Sequence, residues 1–115
     1  MAKATFYWKS TCTSCRDARS VLRSREIEVD EVNYARQALA EPTVRAIVAA
    51  AGSVTAVLNT RHAIAKEKGW ASAPPPAAEF ARAVAAEPNL LRRPILVAGK
   101  RVIVGFDRDA YGKLS

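Results

Sequence analysis

Cys12 and Cys15 are the only cysteines in the chain and lie in the run Thr11-Cys12-Thr13-Ser14-Cys15-Arg16. Such thiols act as nucleophiles, metal ligands or redox partners, in each case as the thiolate. The run follows the apolar stretch 4–8. It opens a segment in which Ala18, Val21 and Leu22 share one face at helical spacing while Arg16, Arg19 and Arg23 fall elsewhere. Both thiols therefore sit where a strand hands over to a helix. The first amides of a helix lack intrahelical acceptors and the dipole there is positive, so a thiolate is stabilised and its pKa falls below the free value of about 8.5. A helix starting near Thr13 puts Cys12 at its mouth and Cys15 one turn in, with the two sulfurs in reach of each other. Cys12 is then the exposed nucleophile, and Cys15 the partner that closes a disulfide on it. Two bland alternatives stand beside this. Zinc needs four ligands and only His62 adds a nitrogen, so no metal site is expected; inert burial in a core is the other. The pattern favours a redox or nucleophilic pair and leaves the substrate open.

Positioning two thiols takes a domain, and 115 residues, half of them apolar, suit a single one spanning 1–115. Lys and Arg number 18 against 11 Asp and Glu, a net +7 with pI near 9.9. That balance favours an anionic partner. The basic residues are spread along the chain, so no nucleic-acid stripe is evident and direct nucleic-acid binding is not expected. Lys3 is followed by five residues before Lys9, too few for the apolar region of a secretory signal. The longest weakly polar run, 45–59, is short of the roughly 20 residues of a membrane span. The expectation is a soluble, cytoplasmic protein without membrane contact. In a reducing compartment a two-thiol motif serves transient, catalytic chemistry more often than structure.

In chain order, 4–8 reads as a buried strand, 9–13 as the active loop, 13–25 as a helix and 28–34 as a second strand. Strand, helix and strand at this length form a βαβ unit with parallel strands. Pro42 suits the first turn of a helix whose face is Val44, Ile47, Val48 and Ala51 and whose stop is Gly52. Ser53 can cap a short helix with Val54, Val57 and Leu58 inward. Residues 59–62 form a polar joint, with His62 expected as a surface or capping residue, and 63–68 another short helix closed by Gly69. The stiff connector 73–76 leads to an alanine-rich helix, 77–86, with Phe80 and Val84 inward. Residues 95–97 and 102–104 make an antiparallel hairpin about a turn at 98–100, and Asp107 caps a last helix running to Leu114. Trp8 and Trp70 are expected in the core or a pocket wall, with Trp8 close enough to Cys12 to shape its surroundings. The class is α/β: a thioredoxin-like fold with a helical insertion, about 41–88, between a βαβ half and a ββα half. In such folds the proline before the third strand, here Pro94, is commonly cis and faces the cysteines.

Three stretches carry a resemblance over residues 4–114: Cys12-Thr13-Ser14-Cys15-Arg16, Asn59-Thr60-Arg61, and Pro88-Asn89-Leu90-Leu91-Arg92-Arg93-Pro94-Ile95. Together they resemble the ArsC/Spx family, which holds arsenate reductases and Spx-type regulators that bind RNA polymerase and sense disulfide stress. The reductase likeness implies that Cys12 attacks arsenate and that arginines surround the anion. Arg93 matches one of them. Asn59 stands where the middle-helix arginine is found, with Arg61 two residues on. Val104 stands where the last is found, with Arg101 and Arg108 nearby. Cys15, absent from the glutaredoxin-coupled reductases, is present in Spx. The implied scheme has Cys12 attack arsenic, Cys15 attack Cys12, arsenite depart and thioredoxin reduce the disulfide. No cofactor is implied beyond that external thiol reductant. Thr11, Thr13 and Ser14 join Arg61, Arg93 and Arg101 as substrate-binding candidates, with Pro94, Trp8 and Arg92 supporting the site. The Spx likeness implies instead that Arg92 supports an oxidised state and that Gly52 lies near a contact with the α-subunit of the polymerase. A third alternative is a general thiol–disulfide oxidoreductase.

Overall fold

The computed structural model describes residues 4–99 and 101–114. The chain forms two compact units, one built from the residues up to Gln37 together with those from Arg93 on, the other from Ala38–Arg92.

The first unit is a four-stranded sheet with two helices. Strand β1, Ala4–Trp8, buries Ala4, Phe6 and Trp8 and leaves Thr5 and Tyr7 half-buried, the two-residue alternation of a pleated strand. Helix α1, Thr13–Ser24, crosses to β2, Val29–Asn33, which pairs with β1 in parallel from Ala4↔Val29 to Trp8↔Asn33. Strand β3, Ile95–Ala98, runs antiparallel to β1, and β4, Arg101–Val104, antiparallel to β3, giving the order β2-β1-β3-β4. This is the βαβ plus ββα arrangement of a thioredoxin-like fold. Of the expected turn at 98–100, Gly99 adopts φ +63 and Lys100 lies outside the described residues.

The core explains the placement of α1. Cys15, Ala18 and Leu22 repeat at i, i+3 and i+7 and pack with Phe6, Trp8, Leu96, Ile103 and Tyr111. The helix stops in a Schellman motif: Ile27 N–H donates to the Leu22 carbonyl, Glu26 N–H to that of Arg23, and Glu26 takes φ +57. The last helix of this unit, Arg108–Gly112, is capped by Asp107, whose Oδ1 accepts from Ala110 N–H at 3.1 Å. It stops short of the expected Leu114 because Lys113 and Leu114 donate three residues back, to Ala110 and Tyr111, and tighten the end.

The second unit is helical, and its boundaries follow local chemistry. Helix α2, Glu41–Ala51, has Pro42 in its first turn and ends at Gly52, φ +96. Ser53 Oγ caps α3, Val54–Val57, by accepting from Ala56 N–H, and His62 Nδ1 caps α4, Ala63–Glu67, by accepting from Ile64 N–H. Helix α5, Ala77–Ala86, packs on α2, with Phe80 edge-on to Trp70 at 6.4 Å. A 3-10 turn, Pro88–Leu90, leads to Leu91, which bridges Leu58; Asn59 N–H donates to the Leu90 carbonyl, Arg92 N–H to that of Val57, and Asn59 Nδ2 to that of Asn89. Two of the stretches that carried the resemblance, 59–61 and 88–92, are thus knitted together. The final helix of the first unit, Arg108–Gly112, is α6 in chain order.

Candidate active site

The site is built where β1 ends. Trp8 pairs with Asn33, so the C-terminal ends of two parallel strands deliver the loop 9–12 and the turn after β2 to the same edge. Asn33 Oδ1 accepts from Ser10 N–H and Ala35 N–H, and Tyr34 N–H donates to the Trp8 carbonyl. Arg16 closes the loop from the helix side, donating from Nη1 to the Ser10 carbonyl and from Nη2 to Thr13 Oγ1. Arg19 lies over the Trp8 ring at 4.7 Å and pairs with Glu31 at 2.8 Å.

Within this frame Cys12 takes the N-cap position of α1 with extended backbone, φ −101 and ψ 123. Both cysteines are free, Cys12 half-buried and Cys15 fully buried, and they approach to 3.2 Å. Their acidities diverge. Burial raises the Cys12 thiol, but hydrogen bonds from the Cys15 side chain and backbone and from Arg93, with the Arg93 charge, outweigh it and the net direction is down. Burial pushes the Cys15 thiol up to about 12, reinforced by the hydrogen bond and charge of Cys12 and opposed by the Lys9 amide and by Arg93. The two sulfurs therefore differ in acidity, Cys12 shifted toward the thiolate and Cys15 away from it.

Arg93 belongs to the same unit as the thiols, although the whole second unit separates them in sequence. The Arg93–Pro94 peptide bond is cis, and the Pro94 carbonyl accepts from Gly105 N–H at 2.7 Å. Beyond its bond to Cys12, Arg93 has a buried Nε with no partner among the described residues.

The structure brings Cys12, Cys15 and Arg93 together, with Trp8 buried in the cluster that holds Cys15 and Pro94 directly after Arg93. Thr11, Thr13 and Ser14 are exposed on the loop and first helical turn. Arg101 is not brought there. It pairs with Ala98, while Ile95, three residues along β3, pairs with Tyr7 beside the loop. That offset sets Arg101 roughly 10 Å down the sheet, toward its opposite end. Arg108 lies over Phe106 at 5.0 Å. Arg61 and Arg92 are exposed in the second unit, where the Arg61 amide is held by Asn59 Oδ1. His62 is a cap, with Nε2 3.9 Å from Glu87. Among the described residues no group of three or more His, Cys, Asp and Glu is placed to hold a metal ion, and no helix is long and apolar enough to cross a membrane.

Sequence reasoning missed two tyrosines. Tyr34 and Tyr111 are buried with hydroxyls that find no partner among the described residues. Burial raises both, and the charge of Cys15 raises them further. Tyr34 was discoverable from the parallel pairing, which puts the residue after β2 beside the loop after β1. Tyr111 carried no such signal.

Comparison with known proteins agrees with this geometry. The ArsC family model matches residues 7–114. The global transcriptional regulator Spx of Enterococcus faecalis is 33% identical over 106 residues, covering 91% of this chain and 80% of that protein. The regulatory protein MgsR of Bacillus subtilis is 30% identical over 112 residues, covering 96% and 89%. An arsenate reductase from Vibrio cholerae superposes with a TM-score of 0.82 at 17% identity, over 99% and 98% of the two chains, a likeness of fold alone. A family match over nearly its full length, on a chain that sets two thiols at the mouth of its first helix, makes this protein a member of the ArsC family.

Proposed function

We propose that this protein is a cytoplasmic arsenate reductase that works through a Cys12–Cys15 disulfide recycled by thioredoxin. The observation that carries the reading is the divided acidity of two sulfurs in contact, with an arginine on the more acidic one. The Cys12 thiolate attacks arsenic and an arsenate oxygen leaves as water after protonation. Arg93 and the first amides of α1 offset charge on the remaining oxygens. Cys15 loses its proton and attacks Cys12 Sγ. The sulfur–arsenic bond breaks with its electron pair going to arsenic, so As(V) becomes As(III), arsenite departs, and two thiols have become one disulfide. An internal second thiol acts at high effective concentration, and its disulfide product suits thioredoxin, at about −270 mV. In this reading Thr11, from the loop, and Thr13 and Ser14, from the first turn of α1, contact the anion.

The test is arsenite release by purified protein supplied with thioredoxin or with glutathione and glutaredoxin. Without reductant, one arsenite per chain is expected; with thioredoxin, steady turnover that Cys15→Ser abolishes while arsenate still binds. Full thioredoxin-driven turnover in Cys15→Ser overturns the mechanism.

A second reading is favoured by the relatives, which are named as regulators: the same dithiol serves as a redox switch on a protein that binds RNA polymerase. Capture of the C-terminal domain of the polymerase α-subunit at micromolar concentration, without arsenite release, would establish it in place of the first.

A further inference from the structure

We propose that Asn33 and Arg16 are positioning residues that grip the two backbone groups of Ser10, and through it hold the loop 9–12 in the shape that sets Cys12 against Cys15. This rests on the reading of the two cysteines as a redox pair, and not on arsenate as the substrate.

The two thiols are held by different means. Cys15 sits within α1 with its side chain sealed in the core, whereas Cys12 precedes the helix with extended backbone and belongs to the loop. A disulfide bond is about 2.05 Å long and has a restricted torsion. Two sulfurs at 3.2 Å can reach that geometry with little movement, provided that the loop keeps its shape. Backbone dihedrals left free in a surface loop are an entropy that each closure must overcome. Lys9 joins the loop to both cysteines: its carbonyl accepts from Cys12 N–H at 3.0 Å, and its amide hydrogen-bonds the Cys15 sulfur. Ser10 follows directly, and side chains from outside the loop take both of its backbone groups. Its N–H donates to Asn33 Oδ1 at 3.2 Å, and its carbonyl accepts from Arg16 Nη1 at 3.0 Å. Each grip is itself anchored. Asn33 ends β2 opposite Trp8, and its Oδ1 also accepts from Ala35 N–H at 3.1 Å. Arg16 follows Cys15 on α1, and its Nη2 donates to Thr13 Oγ1 at 3.4 Å, so one planar fork joins the loop to the first turn of the helix. The end of β2 and the start of α1 therefore hold one residue between them, two positions before the nucleophile. The consequence is alignment. Attack within one chain gains its rate from reacting atoms already placed, and this gain falls on the closure of Cys15 upon Cys12. Attack by Cys12 on a disulfide from solution does not draw on that register.

The experiment uses an aromatic disulfide whose released thiolate is coloured. Cys12 thiolate attacks the probe and releases one equivalent, leaving a mixed disulfide. Cys15 then loses its proton to solvent and attacks Cys12 Sγ; the mixed disulfide breaks, its second thiolate leaves with the electron pair, and the internal disulfide forms. The full chain is compared with Asn33→Leu, which has the same shape and no acceptor. The second release is expected to slow about tenfold, with the first changed by less than about twofold. Asn33→Asp keeps an acceptor oxygen in place and should hold the second release within about threefold of the parent. Arg16 is exposed on α1, so Arg16→Lys keeps the fold and the charge while losing the fork; it should slow the second release about threefold. Because both side chains grip one residue, the double variant should be slowed by clearly less than the product of the two single effects. An unchanged second release in Asn33→Leu and Arg16→Lys overturns the proposal. So does equal slowing of both phases, which marks a structural role, a second release as slow in Asn33→Asp as in Asn33→Leu, or single effects that simply multiply. Release of both equivalents by a parent protein that forms no arsenite supports the redox pair and sinks the arsenate reading alone. Release of a single equivalent by the parent sinks the redox pair and this proposal with it.

Discussion

Cys12 and Cys15 are chemically identical side chains, and their difference comes from solvent and neighbours. Cys12 caps a helix with Arg93 upon it, whereas Cys15 is sealed in the core. Alkylation followed against pH in Cys15→Ser and Cys12→Ser should show Cys12 as the faster thiol near neutral pH; a faster Cys15 would reverse the roles. Arg93→Ala removes a charge-assisted hydrogen bond and should slow Cys12 alkylation at neutral pH on the order of tenfold. Oxyanion affinity should fall with it, read by sulfate or arsenate titration. The thiol pair was legible because two cysteines at a strand-to-helix junction are a local pattern. The company of Arg93 was legible only through resemblance.

The elements that hold these residues were read mostly from caps and stops. Pro42, Gly52, Ser53 and Asp107 all mark the ends expected of them, because capping is decided within a few residues. The stop of α1 was placed by hydrophobic spacing alone, since its left-handed residue is Glu26 and not glycine. That position makes an element-scale prediction. A side chain with φ +57 carries a steric cost that glycine avoids, so Glu26→Gly should raise stability by roughly 1 kcal/mol. Urea unfolding with an unchanged denaturant slope checks it; a loss of stability would mean that the Glu26 side chain contributes more than its backbone costs.

For the molecule as a whole, three buried acids, Cys15, Tyr34 and Tyr111, are all shifted upward in the folded state. Each keeps its proton when folded at a pH where the unfolded chain has released it. The stability they carry is complete below their ordinary values, 9.0 for the thiol and 10.0 for the phenols. It is lost as pH rises above them through the folded values. Unfolding free energy should therefore fall from about pH 9 toward pH 12, and Cys15→Ser should flatten the early part of that fall. A urea series across this range measures it, and a flat profile in the parent would show these groups to be solvated. The net charge of +7 adds the separate expectation that anionic ligands lose affinity as salt increases.

Length, apolar spacing and capping residues by themselves determined the order of elements, the parallel first pair of strands and the junction bearing the thiols, since each depends on neighbours a few positions away. Tertiary structure decided everything that depends on register and packing. It set Arg93 against Cys12 across the intervening helical unit, sealed Cys15 while leaving Cys12 half-open, and placed Tyr34 beside the loop by pairing Trp8 with Asn33. It also carried Arg101, close to Arg93 in sequence, toward the far end of the sheet, because β3 runs antiparallel to β1 and its hairpin turns away from the loop. Local pattern fixes which residues can do chemistry; strand direction and burial fix which of them meet, and a thiol's acidity follows from that meeting.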